Sequence, residues 1–231
     1  VATKRADAPA KERLSRERIV DCAIALADAE GLEAVTIRRL AQDQGVTPMA
    51  LYWHFKDKDL LLDGVAERLL SKVSLPEPRP GVGDGPWHER LRAILAELLV
   101  VLRAHPALAD LIHTRILGCE AGLELSERAF GALKEAGFNA EQRAQIGIHA
   151  LHSMVILVTT EPGQPLGNET AEAGAQRTRE KKAALQLLSP ERYPNVLDCA
   201  DQMTDAPAEQ QYFTLGLDLF IAGVRGVQPT P

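Results

Sequence analysis

Apolar residues along this chain recur at helical rather than alternating spacing from Ser15 almost to the end. Ile19, Cys22, Ala23, Leu26 and Ala27 make one stripe, with Ser15 placed to cap the helix and Gly31 to end it. Thr36 then offers a cap to a short helix over 37–44, stopped by Gly45. After only Gly45-Val46, Thr47 is positioned to cap a third helix, Pro48 to Phe55, whose first residue needs no amide proton. Asp57 is the expected cap of a fourth helix carrying Leu61, Val65 and Leu69 and running to about Ser74. Residues 75–86, LPEPRPGVGDGP, are too rich in Pro and Gly for a regular element.

From Trp87 the helical pattern resumes. Leu91, Ile94, Leu95, Leu98, Leu99 and Leu102 share one face of a long helix that His105-Pro106 stops. Shorter helical stretches are expected near 107–117 and 122–136. A long apolar helix is expected from Asn139 to Thr160, opened by a capping-box pattern at Asn139 and Gln142. Residues 161–168 read as a loop, 171–188 as polar and Ala-rich, and 189–195 as a break. Phe213, Leu217, Phe220 and Val224, flanked by Leu215, Leu219 and Ile221, give 206–224 an apolar face too wide for one neighbour. No stretch alternates as a strand does, so the expected class is all-α. The two widest helices, 139–160 and 206–224, suit either the core of a monomer or a four-helix bundle across a two-fold axis.

Composition narrows the partners. The net charge of -6 argues against DNA at first sight, because phosphate neutralisation needs Lys and Arg. Yet residues 1–60 hold ten Lys or Arg against ten Asp or Glu, so the deficit belongs wholly to the remainder, 16 against 22. The first twenty residues carry six bases and three acids, and 1–14 read as a flexible basic arm. Its Lys4 and Arg5 suit a minor-groove contact or a tail that adds only nonspecific affinity. Cys22, Cys119 and Cys199 show neither zinc-ligand spacing nor an even disulfide set, and a reducing cytoplasm is expected. No apolar run approaches the roughly 20 residues of a membrane span, so no membrane partner is expected. The adjacent pair His152-Ser153 lacks a paired acid, and no phosphate loop or metal-ligand spacing occurs; neither an enzyme, a cofactor nor a metal is expected.

The helix, glycine turn and short third helix have the shape of a helix-turn-helix, whose second helix enters the major groove N-terminus first. Thr47 and Pro48 would stand at the tip, with Met49 and Ala50 offering apolar contact to thymine methyls. Leu51 and Phe55 would point back at the first helix, leaving Tyr52, Trp53, His54 and Lys56 along the groove wall and backbone. The same spacing occurs in helical proteins that bind no DNA, so periodicity alone leaves both readings open.

The residues themselves go further. VTIRRLAQDQGVTPMALYWHFKDKDLLLDGVAERLL, and above all the L-Y-W-H-F-K-x-K-x-x-L-L-D stretch from Leu51 to Asp63, resembles the DNA-binding domain of the tetracycline-repressor (TetR) family. Trp87, Arg103-Ala104-His105-Pro106 and Gly216-Leu217-Asp218-Leu219-Phe220-Ile221-Ala222-Gly223 resemble the regulatory domain of the tetracycline-repressor subgroup. The resemblance implies a three-helix helix-turn-helix domain over 15–74, joined by helix four and a linker over 75–86 to a helical ligand-binding and dimerisation domain over 87–226. It implies a homodimeric repressor that leaves double-stranded operator DNA when a small-molecule effector binds. By position, Arg38 matches the arginine that reaches a guanine edge; Thr36, Tyr52, His54 and Lys58 match phosphate contacts, and Trp53 a place near the groove and its backbone. Thr47, Pro48, Met49 and Ala50 depart from the tetracycline repressor's more polar tip, so a different operator is expected. The effector pocket is expected between 91–102 and 146–157, with His113, Thr114, His149, His152 and Ser153 as its polar groups. Aromatic residues make up only 4% of the chain, which favours a largely aliphatic pocket and a bulky apolar ligand such as an antibiotic or natural product. His152 and Glu161 fall near the subgroup's drug and magnesium positions, but Glu161 is displaced, and no metal is expected there.

Overall fold

The computed structural model of the protein describes residues 14–75, 85–165, 169–204 and 209–230. Among them it holds twelve α-helices and no strand: α1 (Arg16–Glu30), α2 (Ile37–Gln44), α3 (Pro48–Tyr52), α4 (Lys58–Leu70), α5 (Trp87–Ala104), α6 (Ala109–Arg115), α7 (Glu120–Glu135), α8 (Ala140–Thr159), α9 (Ala171–Gln186), α10 (Pro194–Asp198), α11 (Ala200–Thr204) and α12 (Glu209–Gly226). The expected basic arm, apart from Leu14, and the expected linker, apart from Leu75, Gly85 and Pro86, lie outside the described residues.

The helix starts follow from their caps. The Ser15 hydroxyl accepts from the Arg18 amide at 3.2 Å, Thr36 from Arg39 at 3.2 Å and Asp57 from Leu60 at 2.8 Å, each satisfying an amide that the first turn leaves without a partner. At α8 the capping box is complete: Asn139 accepts from the Gln142 amide at 3.0 Å while the Gln142 side chain accepts from the Asn139 amide at 3.3 Å. Between α2 and α3 the chain reverses at Gly45, whose φ of 63° lies in the left-handed region where a side chain is strained.

Five expectations need correction. Thr47 precedes α3, but its side chain caps nothing; the Ala50 amide, which such a cap would use, bonds the Thr47 carbonyl instead at 3.0 Å. The third helix stops at Tyr52 rather than Phe55, because the chain must turn there to drive Phe55 into the core and to extend at Asp57 for the next cap. The fourth ends at Leu70 rather than near Ser74: Ser71 and Lys72 are exposed, so no buried face continues the helix. The 107–117 stretch is broken into a 3-10 turn at Pro106–Leu108, α6, and a second 3-10 turn at Ile116–Gly118. Finally, α7 begins at Glu120, and the Ala121 amide finds its acceptor in the carboxylate of Glu67 on α4, at 3.0 Å.

α1 to α4 close around Ile19, Ala23, Leu40, Leu51, Phe55, Leu61 and Val65, all nearly inaccessible. Burying a ring such as Phe55 contributes roughly 1.5–3 kcal/mol. The second group is organised on α5, which packs against α7, α8 and α12 through Leu91, Leu95, Leu98 and Leu102. α9 packs on α11, and the C-terminal residues clasp the start of α8, Thr230 donating its amide to the Gln142 side chain at 3.0 Å. Polar links join the two groups: His105 at the end of α5 meets Asp28 of α1 at 2.8 Å, and Arg115 at the end of α6 grips Asp59 at 2.8 Å and Asp63 of α4. No helix among the described residues is long and apolar enough to cross a membrane.

Candidate functional site

The face formed by α2 and α3 is the first candidate. On the five residues of α3 the inward side is complete, with Leu51 inaccessible and Phe55 just beyond the helix equally buried. Outward, Thr47, Pro48, Met49, Tyr52 and Trp53 are exposed, with Ala50, His54 and Lys58 half-buried beside them. Met49 at 66% and Trp53 at 85% exposure leave two large apolar side chains in water on one short segment. With Tyr52 beside them they offer apolar surface to a partner. Thr36 is exposed at the head of α2, where its hydroxyl oxygen accepts from the Arg39 amide and its proton is left to donate.

The two adjacent arginines of α2 behave differently. Arg38 is exposed and has no hydrogen bond or ion pair among the described residues. Arg39 is clamped between Glu30, at 2.6 and 2.9 Å, and Asp43, at 3.1 and 3.2 Å; these hydrogen bonds, Glu30's first, hold its guanidinium well above the ordinary arginine value. Arg39 thus ties α2 to the end of α1, and Arg38 is the one left able to donate elsewhere. Arg16 also bears on this face: its guanidinium lies 4.4 Å from the centroid of the Phe55 ring and donates to the His54 carbonyl at 3.5 Å. Sequence reasoning passed over Arg16, because a basic residue in the first turn of a helix carries no local signal of a partner 38 residues away.

The second candidate is a cavity of about 430 Å³, open to solvent on one side, lined by α5, α6 with its following 3-10 turn, α7 and α8. Leu91, Ile94, Leu95 and Leu98 form the expected α5 wall, and Ile146, Gly147, Ala150 and Leu151 belong to the α8 wall. A third wall, Leu125, Ala129, Phe130 and Leu133 of α7, was not anticipated; its helical spacing is visible in the sequence but reads there as ordinary core. Gly147 is what lets the Phe130 ring lie against α8, since a β-carbon at 147 would fall 2.6 Å from Phe130 Cε1.

Of the five expected polar groups, His113 and Thr114 line the cavity, joined by Ser126. His149, His152 and Ser153 are not in its wall; His149 and His152 are exposed, although the His152 ring comes within 4.5 Å of the His113 ring, centroid to centroid. No three His, Cys, Asp or Glu among the described residues converge in a way that would hold a metal ion. Cys119, between α4 and α7, is half-buried, and that burial pushes its thiol up, leaving it protonated at neutral pH.

Residues 19–65 match the family model described as bacterial regulatory proteins, tetR family, and residues 78–227 match the one described as tetracyclin repressor-like, C-terminal domain. An HTH-type transcriptional regulator of Saccharopolyspora erythraea is 30% identical over 217 residues, covering 93% of this chain and 86% of that protein. The tetracycline repressor protein class C of Escherichia coli is 28% identical over 219 residues, covering 94% of each. Among solved structures, the TetR family protein ActR of Streptomyces coelicolor in complex with actinorhodin superposes with a TM-score of 0.71 at 29% identity, covering 92% of this chain and 97% of that one. With an exposed helix-turn-helix face, a cavity in the second helical group and both family models matched in order, the chain belongs to the tetR family of bacterial regulatory proteins and is a helix-turn-helix transcriptional repressor.

Proposed function

We propose that the protein is a homodimeric repressor that binds palindromic operator DNA and leaves it when a small apolar effector fills the cavity between α5, α7 and α8. On this reading residues 15–74 form the DNA-binding domain and 87–226 the ligand-binding and dimerisation domain. Arg38 reads a base edge; Thr36, Tyr52, His54 and Lys58 hold phosphates; Thr47, Pro48, Met49, Ala50 and Trp53 meet the groove. The observation that carries it is the bare outer side of α3 and the residue after it, where Met49 and Trp53 stand in water while Leu51 and Phe55 anchor the segment from behind. A five-residue helix gains nothing in stability from such exposure, and the major groove is the surface that accepts it. The cavity supports the effector half of the reading, and ActR, the relative crystallised with actinorhodin, is a protein of the same fold with a small molecule bound.

A ligand shifts a repressor only through unequal affinity for its two states. The links from the cavity to the reading head supply a route: His113 and Thr114 sit in the wall on α6, and Arg115, the next residue, grips Asp59 and Asp63 of α4. Expansion of the cavity moves α6, and α4 follows through these two ion pairs. Fluorescence anisotropy of the purified protein on the DNA flanking its own gene, against a scrambled duplex at one fixed salt concentration, tests the reading. Selective binding at two subunits per palindrome is expected; equal, weak binding to both duplexes overturns it.

A further inference from the structure

We infer that the effector is an uncharged, largely apolar molecule that brings hydrogen-bond donors, through hydroxyl, phenol or N–H groups, to Thr114 and Ser126. The inference rests on reading the cavity as the effector site and says what chemistry that site accepts. Among the described residues the wall has no Asp, Glu, Lys or Arg side chain, and its polar side chains are His113, Thr114 and Ser126. Each hydroxyl has one proton, and both protons are already used. Thr114 Oγ1 donates toward the Leu111 carbonyl at 3.0 Å and the Asp110 carbonyl at 3.2 Å, and Ser126 Oγ donates to the Gly122 carbonyl at 2.8 Å. What each presents to the cavity is its lone pairs.

A ligand that brings a donor finds an acceptor waiting at both positions. A ligand that brings only acceptors finds neither hydroxyl free to donate, and turning either proton inward forfeits the bond it now makes. His113 supplies one donor and one acceptor when neutral, so it tolerates either kind of group without changing the preference. A carboxylate or sulfonate fares worst. It would lose part of its water against leucine, isoleucine and phenylalanine, with no guanidinium or ammonium among the described residues of the wall to pair with it.

Three matched probes test this on the full chain, by fluorescence titration at pH 8, above the ordinary imidazole range. N-phenyl-1-naphthylamine is uncharged with one N–H; its N-methyl derivative lacks the donor; 8-anilino-1-naphthalenesulfonate adds an anionic group to the same frame. The energy transfer that Leu117→Trp, at an exposed position on the cavity rim, adds to that from Trp53 and Trp87 of the unsubstituted chain reports whether a probe is inside. The N–H probe is expected to bind about tenfold tighter than the N-methyl probe, the size of one hydrogen bond of about 1.4 kcal/mol, and more than about tenfold tighter than the sulfonate. In the Thr114→Val, Ser126→Ala double variant, the N–H preference should fall to about twofold or less with N-methyl affinity unchanged. Equal affinities, or a preference for the sulfonate, accompanied by energy transfer from position 117, overturn the ligand chemistry and leave the cavity as the effector site. Absence of that transfer with every probe overturns both.

Discussion

Arg38 and Arg39 are neighbours on one helix, and replacing each by Ala separates base reading from scaffolding. To donate two hydrogen bonds to a guanine edge, a guanidinium must be unengaged. Arg39 would first have to give up four hydrogen bonds to Glu30 and Asp43, whereas Arg38 has none to give up among the described residues. A bidentate contact of this kind is worth roughly 1–3 kcal/mol of discrimination against a wrong base pair. A dimer on a palindrome makes it twice, so Arg38→Ala should cost about 2–6 kcal/mol, roughly 30-fold to 10⁴-fold in Kd on the operator. Affinity for a scrambled duplex should fall far less, since only charge near the phosphates is lost. Arg39→Ala removes exposed ion pairs, which are worth little in water, and should keep operator selectivity with at most a small shift in the urea midpoint. The assay is anisotropy on an operator selected from a random-sequence duplex pool and on its scrambled counterpart, at one salt concentration. If Arg38→Ala retained wild-type selectivity while Arg39→Ala lost it, the assignment would be reversed; if both retained it, neither arginine reads a base.

Other predictions follow from packing and charge. A β-carbon at Gly122 would lie 1.8 Å from the Ile116 carbonyl oxygen, a clash with backbone rather than with a movable side chain, so Gly122→Ala should cost at least about 2 kcal/mol in urea unfolding. Gly131→Ala on the same helix meets nothing within 4 Å and should instead stabilise by up to about 1 kcal/mol; similar midpoints for the two variants would refute the geometry. Leu215 and Leu219 are exposed on α12, and the double change to Glu should turn a dimer into a folded monomer by sedimentation velocity at micromolar concentration; an unchanged dimer puts the interface elsewhere. Hydrogen bonds from Arg39 and Arg90 hold the carboxyls of Glu30 and Glu135 below their ordinary value of 4.5. The stability these groups contribute is complete above that value and is lost as pH falls through their lowered folded values. Thermal midpoints should therefore be level from pH 7 to 5 with respect to these groups, and the fall below 4.5 should be shallower in a Glu30→Gln, Glu135→Gln variant; an equally steep fall would remove them from the acid transition.

What the sequence tells depends on how far apart the cooperating groups lie. Ser15, Thr36, Asp57 and Asn139 were readable as caps because donor and acceptor sit three residues apart, and each makes the expected bond. Thr47 is the same kind of residue in the same kind of place and makes none, because the Ala50 amide three residues on bonds the Thr47 carbonyl instead. The cap that Glu67 supplies to Ala121 spans 54 residues and has no local signature at all.

The two candidate sites differ in legibility for a related reason. The reading head departs from the hydrophobic pattern: Met49 and Trp53 lie on the side of the segment away from Leu51 and Phe55, and although spacing alone leaves a packed amphipathic helix equally open, the L-Y-W-H-F run makes the family resemblance specific. The cavity works by obeying the pattern. Its lining of Leu, Ile, Ala and Phe is what filled core also looks like, and periodicity tells which face of a helix is dry without telling whether the dry space is occupied. That is why the α7 wall passed as ordinary packing, and why the histidines at 149 and 152, on the right helix, lie outside the wall: α8 turns toward α5 and α7 the face bearing Ile146 and Ala150. Ser126 escaped notice on the same account, since a hydroxyl bonded to its own helix is an unremarkable surface or core residue until a void is found beside it. A sequence therefore exposes a site that must contradict its fold, and conceals one made by leaving part of the fold unfilled.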